Sequence, residues 1–175
     1  MKLEALEVLK NRRSIRNYKK EQVSQEELTA VLEAGTYAAT GRGTQSPYIV
    51  AVQDPQMIAV LNRLNGAVLG DPEGKPYYGA PTIVLVFAST EGCTPYEDAL
   101  LVGANILNAA YAAGLGSCWI NRARQMFENP EGRALMEQWG LPEGCSGAVS
   151  ISLGYADGEY PEPKSRKADY CRIIP

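Results

Sequence analysis

Between positions 99 and 121 the chain carries no charged residue, and this run constrains the fold more than any other stretch. It is long enough to span a bilayer. Yet it holds Asn105, Asn108, Ser117 and Asn121, with Gly103, Gly114 and Gly116 among many alanines, so it is too weakly hydrophobic for insertion. A soluble helix that is apolar nearly all round must be covered on every side. Thr94-Pro95-Tyr96-Glu97 starts it, with proline in the first turn and acids following; Gly114-Leu115-Gly116 ends it. The pattern predicts a long central helix to about Ala113, lying at a subunit interface.

Other elements arrange around it. Residues 81–88 form a continuous apolar strand, and residues 48–52 a shorter one, both expected to be buried on two faces. Residues 117–121 and 147–155 read as two more strands. Leu3, Leu6, Val8 and Leu9 predict a short first helix, and Ser24 with Glu27 predicts a capping box that opens a second, ending near Gly35. A third helix is expected over 55–64, and shorter pieces over 124–127 and 131–139 before Gly140-Leu141-Pro142. Residues 65–78, with Gly66, Gly70, Gly74, Pro72 and Pro76, read as a mobile loop of lid length. The last twenty residues show little periodicity but end apolar, so they are expected to lie against something else. The length suits one domain over 1–175.

The residue inventory excludes whole classes of chemistry. The chain has no histidine, so Ser-His-Asp and Cys-His hydrolases are ruled out. Cys93, Cys118, Cys145 and Cys171 have no metal-ligand spacing, and no metal site is expected. Met1-Lys2-Leu3-Glu4 has no secretory character, so reduced thiols and a cytoplasmic location are expected, with no membrane partner. Net charge is −3, which does not favour nucleic acid. Against that background, Lys10, Arg12, Arg13, Arg16, Lys19 and Lys20 concentrate six of the chain's 17 basic residues in one short segment. Guanidinium forks match phosphate or carboxylate oxygens. On these residues alone, a solvated turn and an anion dock are both open. Lys164-Ser165-Arg166 lies some 150 residues away; were it to meet Arg12, Ser14 and Arg16, the group would cage a terminal phosphate.

Four motifs stand in order along the chain: Asn11–Arg16, Gln45–Tyr48, Gly114–Ile120 and Pro163–Arg166. They resemble those of the flavin-dependent nitroreductase family, in its short single-domain form. Asn11-Arg12-Arg13-Ser14-Ile15-Arg16 resembles its N-terminal basic signature. Gln45-Ser46-Pro47-Tyr48 resembles its glutamine loop, Gly114-Leu115-Gly116-Ser117-Cys118-Trp119-Ile120 its turn from central helix to flavin-facing strand, and Pro163-Lys164-Ser165-Arg166 its C-terminal signature. The resemblance implies an α+β fold, a central mixed β-sheet surrounded by helices. It also implies an intertwined homodimer with C-terminal tail exchange and FMN at the dimer interface.

Carried over by motif, Arg12, Ser14 and Arg16 would hold the FMN phosphate and ribityl chain, with Arg13 contributing backbone. Lys164 and Arg166 would complete the phosphate site. Gln45, beside Ser46, would come from the other subunit, and Trp119, Ile120 and Asn121 would run beside the ring with a backbone N–H towards N5. Gly43, Tyr48 and the Asn121-Arg122 pair depart from the family's usual residues, and Asn65 is a possible match to a ring-contacting asparagine. The implied activity is hydride transfer from NADH or NADPH through the flavin to an electron-poor small molecule, a nitroaromatic, quinone or flavin, by a ping-pong scheme, with no catalytic side chain. The alternatives are an FMN storage or sensor protein, a flavin reductase, and a dehalogenase with a specialised acceptor.

Overall fold

The computed structural model describes residues 4–174, so Leu3 of the expected first helix lies outside the described residues. Four strands build one sheet: β1 (Tyr48–Val52), β2 (Thr82–Ala88), β3 (Gly116–Ile120) and β4 (Ser146–Gly154), in the order β1-β2-β4-β3. Among the described residues all three strand pairings are antiparallel, and parallel pairing is confined to the single bridge between Ser14 and Ser117. Among the described residues six α-helices accompany it: α1 (Ala5–Asn11), α2 (Gln25–Thr36), α3 (Pro55–Leu69), α4 (Pro95–Ala112), α5 (Ala123–Glu128) and α6 (Pro130–Gln138).

The uninterrupted apolar run of β2 has a simple cause. Successive side chains point to opposite faces, and both faces are covered. Val84, Val86 and Ala88 join Val102, Ile106 and Leu107 of α4 and Leu28 and Val31 of α2. Ile83, Leu85 and Phe87 meet Leu61 and Leu64 of α3, Met126 and Phe127 of α5, and Leu135 of α6. The result is helices, sheet, helices. The capping box of α2 forms as expected, and Glu27 also accepts a hydrogen bond from the Tyr155 hydroxyl at 2.6 Å, tying α2 to the end of β4. No helix among the described residues is long and apolar enough to cross a membrane.

Three expectations need correction. β1 is only partly buried, because it is the edge of the sheet. The third helix does not stop at Leu64 but continues through Asn65-Gly66 to Leu69. Gly66 is there for contact rather than termination: a Cβ would lie 2.3 Å from the Asp71 carbonyl, which folds back over it, and the turn itself falls at Gly70, with φ of 86°. The loop is therefore shorter than expected, and Asn65 is fully buried.

Coverage of α4 is also incomplete within one chain. Leu101, Ala104 and Ala112 are exposed and Asn108 is half-buried, along one helical stripe. Leu6 and Leu9 of α1 are 63% and 59% exposed, and Ile173 and Ile174 at the end of the tail are 93% and 85% exposed. Elsewhere α4 is pressed hard onto the sheet. A Cβ at Gly103 would stand 2.8 Å from Val149 Cγ1 and 2.9 Å from its Cγ2. Helix propensity alone favours alanine there by about 1 kcal/mol, but overpacking a stiff, buried valine costs about 1–3 kcal/mol. Gly103→Ala is therefore expected to lower the urea midpoint of unfolding, with an unchanged denaturant slope; a raised midpoint would show that packing does not fix this glycine.

Candidate functional site

The outer edge of β3 is where the arginine segment docks. Ile15 N–H donates to the Ser117 carbonyl at 3.0 Å, making the bridge between Ser14 and Ser117. The approach is close: a Cβ at Gly116 would lie 3.0 Å from three Ile15 side-chain atoms. Tyr18 locks the segment from behind. Its hydroxyl reaches the Ile15 carbonyl at 2.7 Å and Ser152 Oγ at 2.9 Å, and burial raises its pKa, keeping it neutral.

This crossing sorts the arginines. Arg13 turns back and donates through Nη1 to the Lys10 and Arg12 carbonyls, both at 2.8 Å, closing the end of α1. Arg12 is half-buried and Arg16 exposed, and neither makes an ion pair among the described residues. Two guanidinium groups are thus held beside the sheet edge with no acidic partner.

Beside Arg16 lies a cleft of about 350 Å³, lined by Trp119, Ile120, Asn121 and Arg122 on one side and by Lys75 and Tyr78 on the other. Peptide groups alternate along a strand. Ser117 turns its carbonyl to Ile15, so Trp119, two residues on, also turns its N–H and C=O away from β4, towards the open edge. Arg16 lies 5.9 Å from the centre of the Tyr78 ring, a cation–π distance. Asn65 supports the far end of the strand: its Nδ2 donates to the Asn121 carbonyl at 2.9 Å, and its Oδ1 accepts from Arg122 Nε at 3.0 Å. Arg122 holds φ of 79°, a left-handed conformation in which glycine would be unstrained.

The other expected residues are elsewhere. Gln45, with φ of 51°, and the buried Ser46 follow a short 3-10 turn at Gly41–Gly43. That loop is pinned to the start of α4, where Asp98 Oδ1 accepts from Gly41 N–H and from Thr94 Oγ1, both at 2.9 Å. Ser117 follows the other end of α4, and an 18-residue helix is roughly 27 Å long. Within one chain, Gln45 and Ser46 therefore do not join the cleft at Arg16. Lys164 and Arg166 lie on the exposed tail, with no side-chain hydrogen bond or ion pair among the described residues.

Sequence reasoning assigned no role to Lys75 or Tyr78, and marked Arg122 only as a departure from the family's usual residues beside the ring. The glycine and proline density of 65–78 marked the loop but not which side chains it turns inward. Nothing in an arginine signals a positive φ.

Fold and site together define an α+β protein with an unpaired cationic segment at a sheet edge and an aromatic-walled cleft beside it, suited to a flat ligand with an anionic group. Residues 9–155 match the family model described as the nitroreductase family, and the chain belongs to that family. A crystal structure of a nitroreductase with bound FMN from Bacteroides fragilis is 31% identical, with a TM-score of 0.88 over 98% of this chain and 99% of that one. A protein of Archaeoglobus fulgidus, provisionally named NADH dehydrogenase/NAD(P)H nitroreductase, is 30% identical over 89% of this chain and 87% of its own length. An NADPH-dependent oxidoreductase of Staphylococcus saprophyticus is 29% identical over 91% of this chain and 68% of its own length.

The loop that carries Tyr78 is anchored by Tyr77, which is fully buried, with its hydroxyl 2.7 Å from Ser150 Oγ. Burial pushes its pKa from 10.0 up to about 12. The folded-state value lies above the unfolded one, so its contribution is complete below about pH 10 and is lost as pH rises towards 12. The full effect is about 3 kcal/mol at most. Unfolding free energies measured across this range are expected to fall more steeply for the native chain than for Tyr77→Phe; parallel profiles would show that this hydroxyl does not couple folding to pH.

Proposed function

We propose that this chain is an FMN-dependent oxidoreductase that takes reducing equivalents from NADH or NADPH and delivers them to an electron-poor small molecule, a nitroaromatic, quinone or flavin. The observation that carries this reading is the pair Arg12 and Arg16, without acidic partners among the described residues and fixed at the open edge of β3 beside the Trp119–Arg122 cleft. A flavin phosphate carries close to two negative charges, and two unpaired guanidinium groups fit it. The Trp119 N–H, turned to the open edge, fits the rim of a flat heteroaromatic ring. The Bacteroides fragilis relative crystallised with FMN supports the same assignment.

Bound there, FMN supplies two-electron chemistry, and the protein supplies position and electrostatics. Arg12, Ser14 and Arg16 hold the phosphate and ribityl chain; Lys164 and Arg166 close over the phosphate from the tail. Trp119, Ile120 and Asn121 border the ring, and backbone donors favour charge that develops on it. Reductant and acceptor would share the one cleft beside the bound cofactor and so bind in turn, a ping-pong order. No side-chain acid is needed, consistent with a chain that has no histidine.

A homodimer completes the site. The exposed stripe of α4, Leu6, Leu9 and the apolar tail end leave apolar side chains uncovered on a single chain, as an interaction surface would. Two copies related by a twofold axis, with their α4 helices antiparallel, carry each Gln45 and Ser46 loop to the Arg16 end of the partner. The tail, held to its own chain through Tyr160 and exposed beyond it among the described residues, exchanges in the same assembly. The single domain over 1–175 is then half of each site.

Purified protein is expected to bind FMN, to lose the flavin's visible absorbance with NADH or NADPH, and to regain it with a nitroaromatic or quinone. Initial rates at varied acceptor should give parallel double-reciprocal lines. Protein that fails to take up added FMN would end this reading, and bleaching without reoxidation by any acceptor would indicate storage instead. The double variant Arg12→Ala, Arg16→Ala removes two charge-assisted contacts and should weaken FMN binding by about 3–6 kcal/mol, read by flavin fluorescence titration. Unchanged affinity would move the phosphate elsewhere.

A further inference from the structure

Resting on that reading, we propose that Arg122 selects the electron acceptor, favouring aromatic acceptors that carry a carboxylate or other anionic group. The cleft's charge is unbalanced. Arg16, Lys75 and Arg122 line it, against Asp71 as the one acid in its wall. None of these three cations makes an ion pair among the described residues.

Arg16 is accounted for by the phosphate. Arg122 is not. Ser117, where the arginine segment docks, and Arg122 are five residues apart along and just beyond β3, roughly 16 Å at the rise of a strand. A charge at that distance from the phosphate end is free to meet a second ligand.

The side chain is built into place rather than loosely exposed. Arg122 is half-buried, and its Nε donates to Asn65 Oδ1 at 3.0 Å. Asn65 is itself fully buried and also holds the Asn121 carbonyl. That bond fixes the guanidinium plane, while its terminal nitrogens have no hydrogen-bond partner among the described residues. A planar fork with free terminal donors matches a carboxylate. Tyr78 and Trp119, 43% and 36% exposed, supply apolar surface in the same cleft for the aromatic part of the acceptor. The backbone of Arg122 adds a further mark. A non-glycine residue at φ of 79° is retained against a strain of about 1 kcal/mol, which a glycine would relieve.

The test uses the FMN-loaded enzyme and two probes of matched shape, para-nitrobenzoate and the neutral para-nitrobenzamide. The native chain is expected to show a higher kcat/KM for the carboxylate. Arg122→Gly suits the backbone conformation, and it should lower the ratio of carboxylate to amide about tenfold or more, through KM for the carboxylate. Arg122→Lys, which keeps the charge, should retain most of the ratio. A ratio unmoved by Arg122→Gly, or a native chain with no preference for the carboxylate, would overturn this assignment while leaving the oxidoreductase reading intact. A change seen instead in NADPH relative to NADH would assign Arg122 to the reductant's phosphate and overturn it too. Reduction of neither probe, nor of any quinone, would remove both readings together.

Discussion

One hydrogen bond organises the functional half of this molecule: Ile15 N–H to the Ser117 carbonyl, on the outer edge of β3. It makes the arginine segment a one-residue extension of the sheet, so Arg12 and Arg16 are placed relative to Trp119 by sheet geometry rather than by flexible side chains. The bond depends on its neighbours. Gly116 permits the approach, because any Cβ there would press on Ile15. Tyr18 then fastens the segment to Ser152 on β4, the next strand inward. A buried hydroxyl with two good partners strongly disfavours alternative placements, since losing either would leave a desolvated polar group. The unpaired arginines are the consequence. No carboxylate among the described residues pairs with them, which leaves their donors for an external anion.

The parts that were legible in the sequence are those where local pattern and tertiary structure demand the same thing. The run of β2 is apolar because both faces are covered, and the capping box of α2 is a local device that works in any context. The ordered motifs marked Arg12 to Arg16 and the Trp119 strand, and the structure does bring these together. What escaped were features set by contacts distant in sequence. Asn65-Gly66 reads as a helix stop because both residues disfavour helix. Here Gly66 stays helical because the Asp71 carbonyl packs on it, and Asn65 because its amide is needed by the turn after β3. β1 has the composition of a central strand but lies at the edge, and composition alone does not number a strand's neighbours.

Arg12–Arg16 and Gln45–Ser46 illustrate a different limit. Both motifs are plain in the sequence, yet one chain keeps them at opposite ends of α4. The helix that separates them is poor in charge on two sides. It lies on the sheet with Gly103 against Val149, and it presents a second stripe of small and apolar residues outward. A helix covered on one side by its own sheet and on the other by a twin would convert two half-sites into two whole ones. The uncovered leucines of α1 and the apolar tail end point the same way, because burying such side chains yields about 1.5–3 kcal/mol each, and a lone chain forgoes it.

Backbone strain gives an independent argument that these separated pieces serve one purpose. Among the described residues, four that are not glycine adopt a positive φ: Arg42, Gln45, Tyr78 and Arg122. Two lie on the glutamine loop and two in the cleft beside Arg16. None lies in the helices or strands that form the core. Each is destabilised by about 1 kcal/mol relative to an ordinary conformation. A chain whose strain were incidental would scatter it among its turns, where the chain already has glycines to absorb it at Gly70, Gly114 and Gly140. Instead, residues with long polar or aromatic side chains occupy left-handed positions at the two places that a twofold arrangement would unite. The side chain, not the backbone, is what those positions retain, and a ligand shared between two halves would give the glutamine loop and the Arg122 turn a common reason to retain it.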